Sequence, residues 1–283
     1  MMVRLLGPVE VRVNGGYQPV PGLRRAAVLA ALALYPREVL GIDRLVDIVW
    51  GDAPPPSAVT TLHTHVWHLR GMLDRRDVIA ARSPGYVLDV ADDATDVQAA
   101  QVLVQKGNET SDLRERLRLL TEAVSLWRGQ PLATLGRLPW FDTHARRLEE
   151  NLLQTRQGLI DARLTLGEHL DVLSELEALC RQHPMHEQFH GQLMVALYRA
   201  NRQADALAVY RRLRHTLADD LGLDPSQPLR DLEAAILRQD PSLALSSTIS
   251  VVGAAPTHPT PAQLPPTLGR FVGRTRELGQ LDA

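Results

Sequence analysis

One five-residue segment has the spacing of a hydrolytic metal site. The segment HEQFH places His186 and His190 four residues apart, with Glu187 beside the first imidazole. If the segment is helical, the two imidazoles share a face and can bind zinc, while the carboxylate can act as a general base. The spacing therefore raises the hypothesis of a zinc peptidase, which has to be weighed against a purely structural role.

The surrounding residues favour the structural role. Phe189 and Leu193 fall on the inner stripe of a repeated helix, and no further histidine follows at the spacing of the longer zincin signatures. The single cysteine, Cys180, lies in the apolar-periodic segment ELEALCRQ, and the sequence has neither a Gly-x-Ser-x-Gly motif nor a P-loop. The sequence therefore predicts a protein that is not an enzyme and that has no cofactor.

A second set of chemically useful side chains recurs at helical spacing between residues 59 and 73. Apolar residues at three- and four-residue steps form one face: Val59, Leu62, Val66, Leu69 and Leu73. Hydroxyl, imidazole and indole groups form a second face: Thr60, His63, Thr64, Trp67 and His68. Because such groups can contact base edges, the pattern suits a helix in the major groove of DNA. The alternative is an ordinary amphipathic helix with its polar face in water.

The histidines of this helix do not predict a metal site. Of His63, His65 and His68, only the last two fall on neighbouring faces of a helix. No cysteine or carboxylate joins them within the helix, whereas zinc sites in proteins combine several such ligands.

The neighbouring segments predict how the helix is held. Short strands with a turn at residues 14–16 come first, followed by a helix that is apolar nearly all round and ends before Pro36, and by a short helix that ends at Gly51. Residues 78–90 alternate around Ser-Pro-Gly, which predicts a tight hairpin with Arg82 near its tip. Strands, three helices and a hairpin in residues 1–91 predict a small α+β domain of the winged-helix kind, with the wing in an adjacent groove.

Two segments within residues 1–91 resemble a known family. The segments RLVDIVWGDAPPPSAVTTLHTHVWHLRGML and SPGYVL resemble the OmpR-type winged helix-turn-helix that opens the SARP family (Streptomyces antibiotic regulatory proteins) of actinobacteria. The resemblance implies that this domain binds double-stranded DNA. It implies base-edge contacts from one set of residues: Thr60, His63, Thr64, Trp67 and His68. It implies backbone contacts from a second set and a contact from the wing: Thr61, His65, Arg70 and Arg82.

Two positions depart from the family pattern. Trp67 and His68 stand where related readers often carry arginine, and neither can make the two-pronged guanidinium contact to guanine. We expect Trp67 to pack on thymine methyl groups or sugars instead. Arg24 and Arg25 lie at the start of the buried helix, where a helix N-terminus favours a phosphate. The alternative for these two arginines is simple solvation.

From residue 94 the pattern becomes continuously helical. Positions 34 residues apart match in type: Leu159 with Leu193, Ala162 with Ala196, Leu173 with Leu207, Leu176 with Tyr210, and Leu179 with Leu213. This is the period of the tetratricopeptide helix pair. The segment MVALYRANRQADALAVYRRLRHTLADDLGLDPSQPLRDLEAAIL resembles the bacterial transcriptional activation domain, which follows the winged helix in the SARP family. We therefore predict a mostly α protein, with this all-α domain at residues 92–240.

The resemblance implies a sequence-specific transcriptional activator. Members of the family are expected to bind direct repeats near the promoter −35 region as two side-by-side protomers. They recruit RNA polymerase holoenzyme through the sigma factor, with the alpha and beta subunits as further candidates. The implied targets are secondary-metabolite (antibiotic) genes. A scaffold whose winged helix binds protein instead of DNA is the remaining non-enzymatic alternative.

Charge and composition add weaker support. Residues 1–91 hold ten Lys/Arg and eight Asp/Glu, a net of +2, whereas residues 92–240 hold eighteen and twenty-three, a net of −5. A basic front and an acidic middle suit a DNA module joined to a protein-contacting module. A single cysteine suits a reducing cytoplasm, where a DNA-binding protein is expected to associate with the nucleoid. No signal peptide is evident, and the apolar run from Ala26 is too short to span a membrane.

Two further segments complete the sequence. Residues 241–266 are rich in Pro, Ser and Thr and predict a linker, and residues 267–283 resemble the truncated start of an NB-ARC (STAND) ATPase domain, as at the front of a longer regulator. The segment WRGQPLATLGRLPWFD carries Trp127 and Trp140. For it we favour a place in the core of the helical domain over packing against the winged helix.

Overall fold

The structure is a computed structural model that describes residues 2–73, 76–91 and 94–244. It begins with an antiparallel sheet of three strands, β1 (Val3–Arg4), β2 (Glu10–Val13) and β3 (Gly16–Pro19), in the order β1-β2-β3. Asn14 and Gly15, with φ of 50° and 85°, form the tight turn between β2 and β3. This turn suits an Asn-Gly pair because both residues tolerate positive φ.

Three helices and a second sheet complete the winged helix. The helices are α1 (Leu23–Leu34), α2 (Ile42–Trp50) and α3 (Ala58–Met72). The second sheet contains β4 (Leu40–Gly41), β5 (Ile79–Arg82) and β6 (Gly85–Leu88), in the order β4-β6-β5. Residues 26–33 of α1 are all buried, as the apolar sequence of this helix predicts. The β5–β6 hairpin is the wing.

The prediction of the apolar face of α3 is wrong for one residue, which is exposed and not buried. Val59 is 43% exposed, and the buried stripe begins instead at Ala58. The stripe continues at three- and four-residue steps: Leu62, Val66 and Leu69. Val59 falls to one side of this stripe, in the first turn of the helix, and no neighbouring element covers it. Helical spacing identifies the side of the helix on which a residue lies but does not show which neighbouring elements pack there.

Seven helices form the second part of the described chain. They are α4 (Asp96–Glu109), α5 (Leu113–Ser125), α6 (Pro139–Thr165), α7 (Leu173–Gln182), α8 (Glu187–Arg199), α9 (Gln203–Leu221) and α10 (Gln227–Leu237). Gly167, with a φ of 87°, and the turns of residues 169–172 separate α6 from α7. No helix in the described ranges is long and apolar enough to cross a membrane.

The 34-residue repeat has matching burial in its two copies. Each of these four pairs is buried at both positions: Leu159 and Leu193, Ala162 and Ala196, Leu176 and Tyr210, Leu179 and Leu213. The fifth pair, Leu173 and Leu207, is partly buried at both positions. The second half of α6 with α7 therefore corresponds to α8 with α9, as the tetratricopeptide period predicts.

Buried side chains form two cores, and the first crosses the predicted domain boundary. It joins α1, α3 and both sheets to Leu132, Leu135 and Phe141, with Trp127 and Trp140 packed against it. The preference for placing the tryptophan segment in the core of the helical domain alone was therefore wrong. Tyr35, at the end of α1, lies 6.3 Å from the Trp140 ring (centroid to centroid). The second core is formed by the C-terminal half of α6 together with α7, α8, α9 and α10.

A buried carboxylate holds the two parts together. Asp96, in the first turn of α4, is 1% exposed, and it accepts hydrogen bonds from the backbone N–H groups of Leu5 (2.7 Å) and Leu6 (2.9 Å). Arg128 lies 3.4 Å from the same carboxylate and 2.6 Å from Glu10. Burial raises the pKa of Asp96, and the two N–H groups and the guanidinium oppose this shift. The segment between β1 and β2 is thus tied directly to the helical part.

Candidate nucleic-acid interface

The outward face of α3 is polar and open to solvent. Thr60, His63, Thr64 and Trp67 are all exposed, and His68 is half-buried beside them. The helix contains no acidic residue, so nothing on it repels a phosphate chain. The structure therefore brings together on one surface the side chains that the sequence predicted to contact base edges.

One flank of α3 contacts the wing. The Nε of Arg70 donates a hydrogen bond of 2.8 Å to the carbonyl oxygen of Ile79 in β5, and its guanidinium lies 5.8 Å from the centre of the Tyr86 ring in β6. His63 meets the same ring edge-on, at 6.2 Å between ring centroids. These contacts position the wing relative to the exposed face of α3. They give Arg70 a positioning role that sequence reasoning did not foresee.

The other flank of α3 faces the start of α1. The His65 ring stacks on Trp50 at 6.4 Å between centroids, and both of its ring nitrogens are buried without a hydrogen-bond partner among the described residues. Burial lowers the pKa of His65, and the charges of Arg25 and Arg24 lower it further. Arg24 lies 5.4 Å from the centre of the Trp50 ring. The structure thus brings together three residues that the sequence predicted to contact the DNA backbone.

The α1 N-terminus adds its own positive potential to this flank. Gly22 precedes the helix, and no side chain caps its first N–H groups. Uncapped N–H groups at a helix start attract anions, and neighbouring arginines strengthen this attraction. The positions of Arg24 and Arg25 are compatible with the predicted phosphate contact, which stays a prediction.

The wing arginine is exposed but not free. Arg82 forms an ion pair of 2.9 Å with Asp89, and both side chains are at least half exposed. An exposed pair of this kind contributes about 0–1 kcal/mol, because water competes with it. A phosphate group can therefore replace Asp89 as the partner of Arg82 at little cost.

The HEQFH segment has structural contacts in place of a metal site. Glu187 accepts a hydrogen bond of 2.8 Å from the backbone N–H of Ser226, the residue that precedes α10. The Nδ1 of His190 lies 3.1 Å from the carbonyl oxygen of His186, whose ring stacks on Phe189. Within the described ranges, no group of three His, Cys, Asp or Glu side chains is placed to hold a metal ion. Glu187 therefore fixes the residue from which α10 starts, a role that its sequence neighbours did not reveal.

The fold and the exposed face of α3 together define a winged-helix DNA-binding protein with a helical activator-type domain. Comparison with protein families agrees. The model of the transcriptional regulatory protein C-terminal domain matches residues 23–88, and that of the bacterial transcriptional activator domain matches residues 93–237. The chain belongs to the SARP family of DNA-binding transcriptional regulators.

Individual relatives extend this comparison. The chain is 38% identical over 281 residues to the regulatory protein AfsR of Streptomyces coelicolor, covering 98% of this chain and 28% of AfsR. It is 34% identical over 256 residues to the regulatory protein DnrI of Streptomyces peucetius, covering 86% of this chain and 94% of DnrI. The chain therefore spans nearly all of DnrI but only about a quarter of AfsR.

A solved structure shares the fold. The structure of Mycobacterium tuberculosis EmbR in complex with a low-affinity phosphopeptide superposes with a TM-score of 0.81 at 34% sequence identity. The match covers 84% of this chain and 65% of the EmbR chain. The expected combination of a winged helix with small sheets and an all-α activator domain is confirmed.

Proposed function

We propose that this chain activates transcription by binding direct repeats near the promoter −35 region as two side-by-side protomers. The observation that carries the proposal is the α3 face, which exposes base-reading groups between a wing with Arg82 and a flank with Arg24 and Arg25. In this arrangement α3 lies in the major groove and cations on both sides contact the backbone. The regulator acts in the cytoplasm, associated with the nucleoid, on secondary-metabolite genes.

Recruitment is the proposed means of activation. The helical domain contacts RNA polymerase holoenzyme through the sigma factor, with the alpha and beta subunits as further candidates. The contact adds binding free energy to a weak polymerase–promoter complex. Because each 1.4 kcal/mol changes occupancy about tenfold, a contact of a few kcal/mol is sufficient.

The domain organisation forms part of the proposal. We place the winged helix at residues 1–91, the activation domain at 92–240, the linker at 241–266 and the start of an NB-ARC (STAND) ATPase domain at 267–283. Of the last two segments, the structure describes only residues 241–244, and everything from residue 245 onward lies outside the described residues. Residues 241–243 form a short turn, and the carbonyl oxygen of Leu243 accepts a hydrogen bond of 2.9 Å from the Nε of Arg199.

The first test measures binding to promoter DNA as a function of salt. Four arginines lie at the proposed interface: Arg24, Arg25, Arg70 and Arg82. If each neutralises one phosphate, log K falls with log[salt] at a slope of about −3.6 per protomer. Affinity then falls by about 100-fold per protomer between 50 and 200 mM salt. Gel-shift titrations with repeat-bearing fragments measure the slope.

A matched pair of variants provides the control for this slope. Arg82→Ala removes an exposed, Asp-paired arginine from the wing, and Arg202→Ala removes one from α9, where Arg202 pairs with Asp205 at 2.7 Å. We expect the first change to reduce the slope by about 0.9 per protomer and the second to leave it unchanged. Absence of any salt-dependent complex with repeat-bearing DNA would contradict the proposed function.

A second test separates base contacts from backbone contacts. Arg70→Ala is expected to weaken binding to all DNA sequences by about the same factor, because its side chain contacts phosphate or holds the wing and reads no base. His68→Ala is expected to change base preference, because His68 lies at the edge of the exposed face. Competition binding with a partly randomised operator measures both. A uniform loss from both variants would refute this division of roles.

A further inference from the structure

Three arginines near α3 make their contacts beside its outward face and not on it. Arg70 bonds to the wing carbonyl of Ile79, and Arg82 pairs with Asp89. Arg24 lies against Trp50, on the flank next to α1. Guanine is usually recognised by an arginine that reaches its O6 and N7 atoms. Among the side chains that the structure describes, no arginine lies on the outward face of α3, so we expect another feature of the bases to be read there.

Trp67 is the most exposed large apolar side chain of this face. Its side chain is 71% exposed, the largest value for a large hydrophobic residue among those that the structure describes. The ring of His68 meets the indole at 4.9 Å between centroids, which supports it from one side. A large apolar surface held in water gains free energy when another apolar group covers it. On the major-groove edges of the bases, the apolar group is the 5-methyl of thymine.

Thr64 defines the neighbouring chemistry. Its hydroxyl lies 3.0 Å from the carbonyl oxygen of Thr60 and donates a hydrogen bond to it. The Oγ1 lone pairs are therefore left to accept a hydrogen bond, which suits the N6 amino group of adenine or the N4 amino group of cytosine. Residues three apart on a helix are surface neighbours, so Thr64 and Trp67 form one continuous part of the outward face.

We propose that Trp67 is a specificity-determining residue that recognises the 5-methyl group of a thymine in the major groove. The indole covers the methyl, while the Thr64 hydroxyl accepts a hydrogen bond from an amino group on a neighbouring base. Discrimination at this position thus depends on an apolar contact in place of a guanidinium–guanine pair. The proposal rests on the proposed DNA-binding function and adds the chemical group that is read.

Replacement of thymine by deoxyuridine provides the test, because it removes the methyl group and keeps every hydrogen-bonding atom. Footprinting of this chain first locates a bound repeat, and each thymine in it is then replaced singly by deoxyuridine. We expect one position per repeat to weaken binding about fourfold, the factor that corresponds to about 0.8 kcal/mol for one buried methyl. Thymines outside the footprint serve as controls and have no effect when replaced.

Three variants connect this effect to Trp67. Trp67→Ala weakens binding to the thymine-containing repeat and loses the sensitivity to deoxyuridine, whereas Trp67→Phe keeps part of both. His63→Ala, an exposed neighbour on the same face, retains the full deoxyuridine effect. Thermal unfolding serves as the folding control, and all three variants should match the parent, because these side chains are exposed.

Each other outcome overturns the proposal. If no single deoxyuridine weakens binding, the methyl group is not read, although DNA binding itself stands. If Trp67→Ala weakens binding but keeps the deoxyuridine effect, the indole contacts the sugar and another residue contacts the methyl. If no salt-dependent complex with repeat DNA forms at all, the proposed function fails together with this inference.

Discussion

Asp96→Ala is expected to lower the free energy of unfolding by about 3 kcal/mol, because it leaves buried backbone donors unpaired. The carboxylate accepts hydrogen bonds from the N–H groups of Leu5 and Leu6 at a site that is 1% exposed. Each unpaired buried donor costs about 1–3 kcal/mol. The substitution also removes one of the two carboxylate partners of Arg128 and an acidic group from the first turn of α4. Urea unfolding followed by circular dichroism measures the loss.

A matched exposed aspartate provides the control. Asp89 forms its ion pair with Arg82 at the surface, and Asp89→Ala should change the free energy of unfolding by no more than about 0.5 kcal/mol. An unchanged stability in Asp96→Ala would mean that the N–H groups of Leu5 and Leu6 find other partners. The link between the first sheet and α4 would then contribute little to stability.

Gly85→Ala is expected to disrupt the wing, with a loss of about 3 kcal/mol in stability and a loss of DNA affinity of at least tenfold. A Cβ at residue 85 would collide with the carbonyl group of Leu40 and with the Cα of Gly41. Those two residues form β4, and Gly85 pairs directly with Gly41. The strands must therefore separate, which moves the turn beside Arg82 away from α3. Urea unfolding and gel-shift titration measure the two effects.

Gly16→Ala serves as the control for this substitution. Gly16 lies in a strand, and its added Cβ would come no nearer than 3.9 Å, to the carbonyl oxygen of Val13. This change should leave both stability and DNA binding close to those of the parent. If Gly85→Ala behaves like Gly16→Ala, the close approach of β4 and β6 is not needed to hold the wing.

Periodic features of the structure could be predicted from sequence. The exposed face of α3 follows from its helical spacing, and the wing follows from alternation around Ser-Pro-Gly. The matched burial of Leu176 and Tyr210 follows from the 34-residue period. These predictions succeeded because a local pattern in the chain corresponds directly to one surface of one element. The identity of the bases that the α3 face would contact has no such local pattern.

Long-range pairings could not be predicted in this way. Asp96 looks like an ordinary acidic residue at a helix start, and nothing near it in the sequence shows that Leu5 is its partner. Glu187 contacts Ser226 across 39 residues, and its motif suggested catalysis instead. The packing of Trp140 against Tyr35 similarly depends on tertiary structure alone. The residues next to a carboxylate or an indole in the sequence do not show whether that side chain contacts a distant element or faces water.

The shared first core has a consequence for how the protein is oriented around DNA. Since α1, α3 and the start of α6 pack into that core, α3 and the helical domain would keep one relative orientation around a duplex bound as we propose. One turn of B-DNA takes about 10–10.5 base pairs. Shifting the repeat by five base pairs therefore moves the helical domain to the opposite side of the double helix, and shifting it by a full turn returns the domain to the same side. Under the proposed binding mode, the position of the repeat would therefore set the angular position of the helical domain on a promoter.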